Sequence, residues 1–401
     1  MRSLIEDFSL SALVAGFIAT LISYAGPLVI IFQAAKAAGL PQEALSSWVW
    51  AISIGSGVLG IVLSLRYRVP VVIAWSAPGS ALLVVLLPGI GLDQAVGAYL
   101  VASALILLIG LCGIFDRLIG RLPSAICAAM LAGILFSFGT GLFRSIQDRP
   151  LLVGAMFATY LLAKRLAPRY AVLAVLLVGC ALSLGAGDID RSALVIGLAT
   201  PRWISPAFSW SGVLNVALPL VVVALTGQFV TGIAVLRNDG YTTPASPIIA
   251  SSGLASLLLA PFGCHGLNLA AITAAICTGR EAHEDPGRRY VAGVMGGVFY
   301  LLLGMFGATL VSLFSAFPRA LIAALAGLAL FAAIGGALSS AMAVPRDREA
   351  ALITFLVTAS GMSLFGLSAA FWGLVFGLAA HGVLSWRRPA ARVAVAPRAR
   401  D

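Results

Sequence analysis

Few side chains in this sequence are equipped for chemistry, and most of those stand among apolar neighbours. His265 is the first of them. It is one of three histidines, and the only ionisable residue near the middle of a long apolar run. None of the 15 Asp and Glu residues is so placed. An ionisable group in such a run marks a functional site by default, because its charged form is costly there. Imidazole also titrates near neutral pH. The competing reading is a neutral histidine that hydrogen-bonds two helices together. His283 lies in the charged loop 280–289 and reads as solvated. His381 falls near the end of the last apolar run and carries no assigned role.

Two segments share a pattern. One reads Pro70-Val-Val-Ile-Ala-Trp-Ser-Ala-Pro-Gly-Ser-Ala-Leu-Leu83 and the other Ala260-Pro-Phe-Gly-Cys-His-Gly-Leu-Asn-Leu-Ala-Ala-Ile-Thr273. Each begins extended and then offers Ser, Pro or Gly suited to starting a helix. Open N–H groups at two helix starts make an anion site without Lys or Arg. Ser76, Pro78, Gly79 and Ser80 form the first half of that site. Cys264, His265, Gly266 and Asn268 form the second. Two other polar groups interrupt apolar runs: Tyr24 ahead of Gly26-Pro27, and Thr226-Gly227-Gln228 ahead of Phe229. A buried Gln must hydrogen-bond a substrate or a neighbouring helix. Tyr24, Thr226 and Gln228 therefore complete the expected substrate-lining set.

Other chemistries find no residues. The five cysteines (Cys112, Cys127, Cys180, Cys264 and Cys277) make no CxxC pair, so neither a metal site nor a disulfide framework is indicated. They read as small packing residues, with Cys264 beside His265 as the one near a site. There is no nucleophile–base pair or cofactor motif and no Walker A sequence. An enzyme and an ATP-driven pump are both disfavoured, and no cofactor or metal is expected.

The composition says what must position these groups. Of 401 residues, 61% are hydrophobic and 10% charged, with mean hydropathy +1.05. Soluble domains carry about a quarter charged residues, so the solvent of this chain is lipid. The net charge is +10. Its Lys and Arg sit in short clusters between apolar runs, which fits the positive-inside rule and anionic headgroups rather than nucleic acid. The basic tail 388–401 reads the same way. The apolar run from Leu10 to Ala35 is too long for a cleavable signal and reads as the first span.

The chain divides into about fourteen apolar segments near membrane length. They are 10–36, 47–65, 70–87, 94–115, 122–142, 150–164, 170–186, 211–236, 245–260, 263–279, 289–316, 319–342, 349–365 and 367–386. With the N-terminus inside, alternate loops place 19 of the 25 Lys and Arg in the cytoplasm and 6 outside. That predicts both termini cytoplasmic. Pro123, Ala125, Ala128, Ala129, Leu135 and Phe136 recur at a constant offset of 195, as Pro318 through Phe331. An odd number of spans per half turns the second half upside down, giving inverted repeats over 1–187 and 208–387. The fold class expected is an all-α polytopic membrane protein with its third and tenth spans broken at a midplane site.

The stretch from Pro261 to Cys277, followed by Glu281-Ala-His-Glu-Asp-Pro286, resembles the signature of the benzoate/proton symporter family. So do Ala224-Leu-Thr-Gly-Gln-Phe229 and Leu236-Arg-Asn-Asp-Gly-Tyr241. The resemblance runs over nearly the whole chain. It implies the seven-plus-seven inverted-repeat fold shared with uracil and sulfate transporters. In that fold spans 1–4 and 8–11 form a core and spans 5–7 and 12–14 a gate. Nucleobase carriers of that fold use acidic groups in the eighth and tenth spans. Here Gln228 and the segment 265–268 stand in those regions, which suits a carboxylate.

The function this implies is import of benzoate or a similar aromatic carboxylate with a proton across a bacterial inner membrane. Partners are the substrate, the proton and the bilayer, with a homodimer left open. Carriers of other small organic anions or neutral rings, and an uncoupled anion channel, are the alternatives. A bare anion in a dry site is costly, so a proton should accompany it. Protonated His265 would supply the countercharge. The proton would otherwise ride on the substrate's own carboxyl, or on a loop acid such as Asp239.

Overall fold

Backbone polar groups in a membrane must bond one another, and a helix does this within one segment. The computed structural model describes residues 4–115, 117, 123–189, 194–280, 282–362, 364–365 and 368–385, apart from the side chains of Arg169, Asn238 and Ile272. The expected basic tail, Arg121 and Arg191 of the charge count, and Glu281 of the loop motif lie outside the described residues.

The first half of the chain gives α1 (Leu4–Asp7), α2 (Leu10–Ala25), α3 (Pro27–Ala37) and α4 (Gln42–Tyr67). The strand β1 (Ile73–Trp75) leads into α5 (Ala77–Leu86), and α6 (Leu92–Cys112) follows. Then come α7 (Ser124–Asp148), α8 (Pro150–Leu166) and α9 (Ala171–Gly185). The second half opens with α10 (Trp210–Arg237), which widens into π-helical turns at Val213–Ala217 and Ala224–Phe229. It continues with α11 (Ala245–Leu259), β2 (Leu267–Leu269), α12 (Ile272–Thr278), α13 (Tyr290–Met305) and α14 (Gly307–Ser315). It ends with α15 (Arg319–Met342), α16 (Arg348–Ala359) and α17 (Ala369–Ser385).

Fourteen membrane-length spans were expected, and the structure supports a coarser count. Among the described residues seven helical stretches are long and apolar enough to cross a membrane. They are α2 with α3, α4, α6, α7, α10, α11 extended to Phe262, and α15. The pair α13 and α14, bent by 69°, makes an eighth. The rest fall short for local reasons. The third segment spends Ile73–Trp75 as strand, and Pro78 sits in the first turn of the helix that remains. The tenth spends its first half on a turn and a strand, so α12 has only 7 residues.

Those two short strands are the only sheet among the described residues, and they pair with each other. The register is antiparallel, with Ile73 opposite Leu269, Ala74 opposite Asn268 and Trp75 opposite Leu267. Every strand residue is buried. Extended backbone at this depth needs other partners, and side chains supply them. Val71 N–H donates to Ser64 Oγ at 3.0 Å and Leu267 N–H to Ser256 Oγ at 2.8 Å. Ala270 N–H closes the strand end on the Val72 carbonyl at 2.9 Å.

Glycines let the helices around this pair approach closely. Gly253 of α11 abuts the Leu107 backbone of α6, and Gly110 of α6 abuts Ala250 of α11. Gly57 and Gly297 join α4 to α13 in the same way. A second set packs α7 along α15 and α16, with α17 on α16 and α8 on α9. The connection 194–209 crosses the first set as an extended strap. Val195 and Gly197 bond Ser312 and Thr309 side chains, and Arg202 N–H donates to Ser47 Oγ at 2.8 Å.

Candidate functional site

Antiparallel pairing decides which residues meet. Trp75 ends β1 and Leu267 begins β2. The residues after Trp75 and before Leu267 therefore leave the pair at the same end. Ser76 and Ser80 come from one chain and His265 and Gly266 from the other.

Ser76 is the N-cap of α5. Its Oγ accepts from Gly79 N–H at 2.9 Å, and its carbonyl accepts from Ser80 N–H at 2.8 Å and Ser80 Oγ at 2.8 Å. His265 is 3% exposed. Its Nε2 lies 3.0 Å from Ser80 Oγ. On the other side Trp48 Nε1–H of α4 donates to Nδ1 at 3.0 Å. Gly266 follows at φ +139°, a left-handed conformation that side chains rarely adopt. Asn268 makes one long bond, Nδ2 to the Gly266 carbonyl at 3.4 Å, and its second N–H has no partner among the described residues.

These groups floor a cleft with about 350 Å³ of space not filled by atoms. Ser76, His265, Gly266, Leu267 and Asn268 line one side, and Ser256 of α11 joins them. Ala102, Ser103 and Ile106 of α6 and Leu220, Val221 and Ala224 of α10 supply the other. No charged side chain lines it among the described residues. The cleft is narrow, admitting water-sized groups; a planar ring would need its walls to part. It therefore offers neutral hydrogen-bonding groups on one side and mostly aliphatic surface on the other.

Other members of the expected set stand elsewhere. Pro78 and Gly79 shape the α5 turn behind the lining, and a Cβ at Gly79 would meet Leu220 Cδ2 at 3.1 Å. Tyr24 does not reach the cleft. Its hydroxyl donates to Ser53 Oγ at 2.5 Å and its ring packs edge-on against Trp75. The Gly26-Pro27 pair that follows it leaves α2 and α3 as one apolar span. Thr226 turns back on the Val222 carbonyl at 2.7 Å. Gln228 is half-buried, outside the lining, and its side chain has no hydrogen-bond partner among the described residues. Cys264 is wholly buried and also outside the lining. Asp239 is exposed at the end of α10.

The anion site at the helix starts is also smaller than expected. Pro78 has no N–H, and Gly79 N–H is taken by Ser76. Among the described residues Ala77 keeps the one open N–H of the first three positions of α5, and Ala77 is outside the lining. The first residues of α12 do not line the cleft.

Three contributors were not anticipated. Ser103 is 3% exposed, lines the cleft and, unlike Ser256 and Thr226, bonds no carbonyl of its own helix. Ser256 holds β2 in place, and Trp48 holds His265. A serine or tryptophan inside an apolar helix carries no local mark of such a role. Only the non-local pairing reveals it.

Comparison with known proteins agrees over the length of the chain. The family profile described as "Benzoate membrane transport protein" matches residues 6–383. A benzoate membrane transport protein of Acinetobacter baylyi is 50% identical over 384 residues, covering 96% of this chain and 98% of the relative. The inner membrane protein YdcO of Escherichia coli is 44% identical over 373 residues, covering 93% and 95%. Among solved structures, the transmembrane domain of the cyanobacterial bicarbonate transporter BicA superposes with a TM-score of 0.60 at 15% identity, covering 92% of this chain and 97% of that one. Murine Slc26a9, an anion transporter in an inward-facing state, gives 0.62 at 14% identity, covering 94% and 68%. These structures share the fold of this chain.

Proposed function

The chain belongs to the benzoate membrane transport protein family, and from that membership we propose that it imports benzoate or a similar aromatic carboxylate with a proton. The family is one of multi-pass membrane transporters and not of enzymes. The observation that carries the reading is the cleft at the β1–β2 end, polar on one side and mostly aliphatic on the other. The ring lies against Ile106, Leu220 and Val221. The carboxyl group faces Ser76, Ser103 and the Asn268 side-chain N–H. Three neutral groups hold a carboxyl group without a fixed cation, so a proton must offset the cost of a bare anion.

Transport needs the narrow cleft to open toward each side in turn. The packing supports a division into a core, built on spans 1–4 and 8–11 around the strand pair, and a gate built on α7 to α9 and α15 to α17. Gly227 of α10 abuts Leu131 of α7 at this boundary. Gln228 joins the substrate contacts when those helices part. The bent pair and the six shorter helices, α5, α8, α9, α12, α16 and α17, bring the seven long spans to the proposed fourteen. The basic loops support both termini on the cytoplasmic side, and the name of the Escherichia coli relative supports a bacterial inner membrane.

The test is uptake of labelled benzoate into proteoliposomes. Saturable uptake that a pH gradient drives above equilibrium is expected. Non-saturating flux indifferent to the gradient would indicate a channel instead.

A further inference from the structure

The hydrogen bonds around His265 decide what that ring can do. A neutral imidazole carries one proton, on Nδ1 or on Nε2. The indole N–H of Trp48 donates and never accepts. It lies 3.0 Å from Nδ1, so Nδ1 is the nitrogen with the lone pair. The proton then sits on Nε2, facing Ser80 Oγ at 3.0 Å. Ser80 spends its own proton on the Ser76 carbonyl at 2.8 Å and has a lone pair left to accept. Each donor in the chain Trp48, His265, Ser80, Ser76 meets an acceptor.

We infer that Trp48 is a positioning residue that fixes His265 as the neutral Nε2–H tautomer, so that the coupled proton crosses on the substrate's own carboxyl group and not on the imidazole. This rests on the cleft being the carboxylate site. A cationic ring would carry a proton on Nδ1, aimed at the Trp48 N–H, and a buried donor facing a donor is unfavourable. The Ser76 carbonyl can accept only from the Nε2 side, and no carboxylate among the described residues faces Nδ1. The groups facing the ring are Trp48 on α4, Ser76 and Ser80 at α5, Tyr99 on α6 with its ring centroid 6.3 Å away, and the adjacent Cys264. None is a carboxylate.

The indole is also held. Trp48 is 2% exposed, and its ring meets the imidazole edge-on at 5.5 Å. Gly263, at φ +101°, lies so close that a Cβ there would be 3.1 Å from Trp48 Cα. Ser47, the preceding residue, donates to the Phe262 carbonyl at 3.0 Å. Two successive residues of α4 are thus fastened to the turn that carries His265. The proton balance is simple: a carboxylate takes a proton at one face, the acid is carried, and the O–H bond breaks at the other face, with the protein unchanged.

The test is nitrogen NMR of histidine-labelled protein in lipid bilayers, with His265 identified among the three histidines by its loss in His265→Asn. Wild type should show a protonated Nε2 and a bare Nδ1 throughout about pH 5 to 8, with or without benzoate. Trp48→Phe keeps an aromatic ring but no donor, and should show mixed tautomers or a titrating ring. A wild-type ring protonated on Nδ1, or on both nitrogens with benzoate bound, would overturn the inference. A second arm measures His265→Gln, where pH-gradient-driven accumulation and equilibrium exchange should fall together, in proportion; loss of accumulation with exchange retained would also overturn the inference. A wild-type protein that fails to carry benzoate would instead remove the functional reading, leaving the tautomer measurement to stand alone.

Discussion

At the scale of single residues, the cleft depends on backbone that only glycine tolerates. Gly266 sits at φ +139°, with nothing nearer to a built Cβ than Asn268 Nδ2 at 3.8 Å. Its cost on substitution is therefore conformational, roughly 1–3 kcal/mol. Gly266→Ala should lower benzoate uptake about tenfold while the membrane-inserted yield stays normal; undiminished uptake would show that this turn does not shape the site. Gly79→Val fails for the other reason, collision with the Ser76 and Leu220 side chains, and should abolish uptake with insertion intact. Ser103→Ala removes a hydroxyl that no protein group uses among the described residues. A neutral hydrogen bond contributes about 0.5–1.5 kcal/mol, so KM should rise between about two- and tenfold with little change in maximal rate. An unchanged KM would place the substrate elsewhere. His265, Ser76 and Asn268 were legible in the sequence because a polar group in an apolar run needs a reason. Ser103 and Trp48 were not, because neither spacing nor polarity records which hydroxyl lacks a partner or which indole finds a nitrogen.

At the scale of elements, the cleft is as wide as its helix seams allow. α6 and α11 approach at Gly110 and Gly253, and a side chain at either would strike the facing backbone. Gly253→Leu should force the seam apart at a cost of about 1–3 kcal/mol, seen as a lower Tm in detergent and a loss of substrate affinity. A variant with normal Tm and normal uptake would mean that the seam yields without moving Ser103 or Ser256. Element positions were readable from hydropathy to within a turn or so. Element lengths were not. Hydropathy counts apolar residues, and it assigns the same length to a helix as to the extended path through Ile73–Trp75. That is why fourteen segments near membrane length were expected, with the third and tenth broken, where seven helical stretches among the described residues are long enough to cross and an eighth is bent. The helix starts misled for a related reason: Ser, Pro and Gly do start α5, but they also consume the N–H groups that were to bind the anion.

At the scale of the whole molecule, the charge asymmetry of the loops carries the proposed orientation. In a background without native cysteines, Ala186→Cys and Glu284→Cys should label from opposite faces of the membrane, the second from the cytoplasm. Labelling of both from one side would break the inverted-repeat proposal. The strand pair has a further consequence, for how the protein is made. Ile73 and Leu269 come from opposite halves of the chain, so ribosomes deliver β1 long before its partner exists. Until then β1 has unpaired backbone groups, which lipid alone would not tolerate. The first half must wait beside water or the insertion machinery, with its site unmade, and the second half completes it on arrival. Two separately expressed halves should therefore be inert alone and regain transport when they are made together in one membrane.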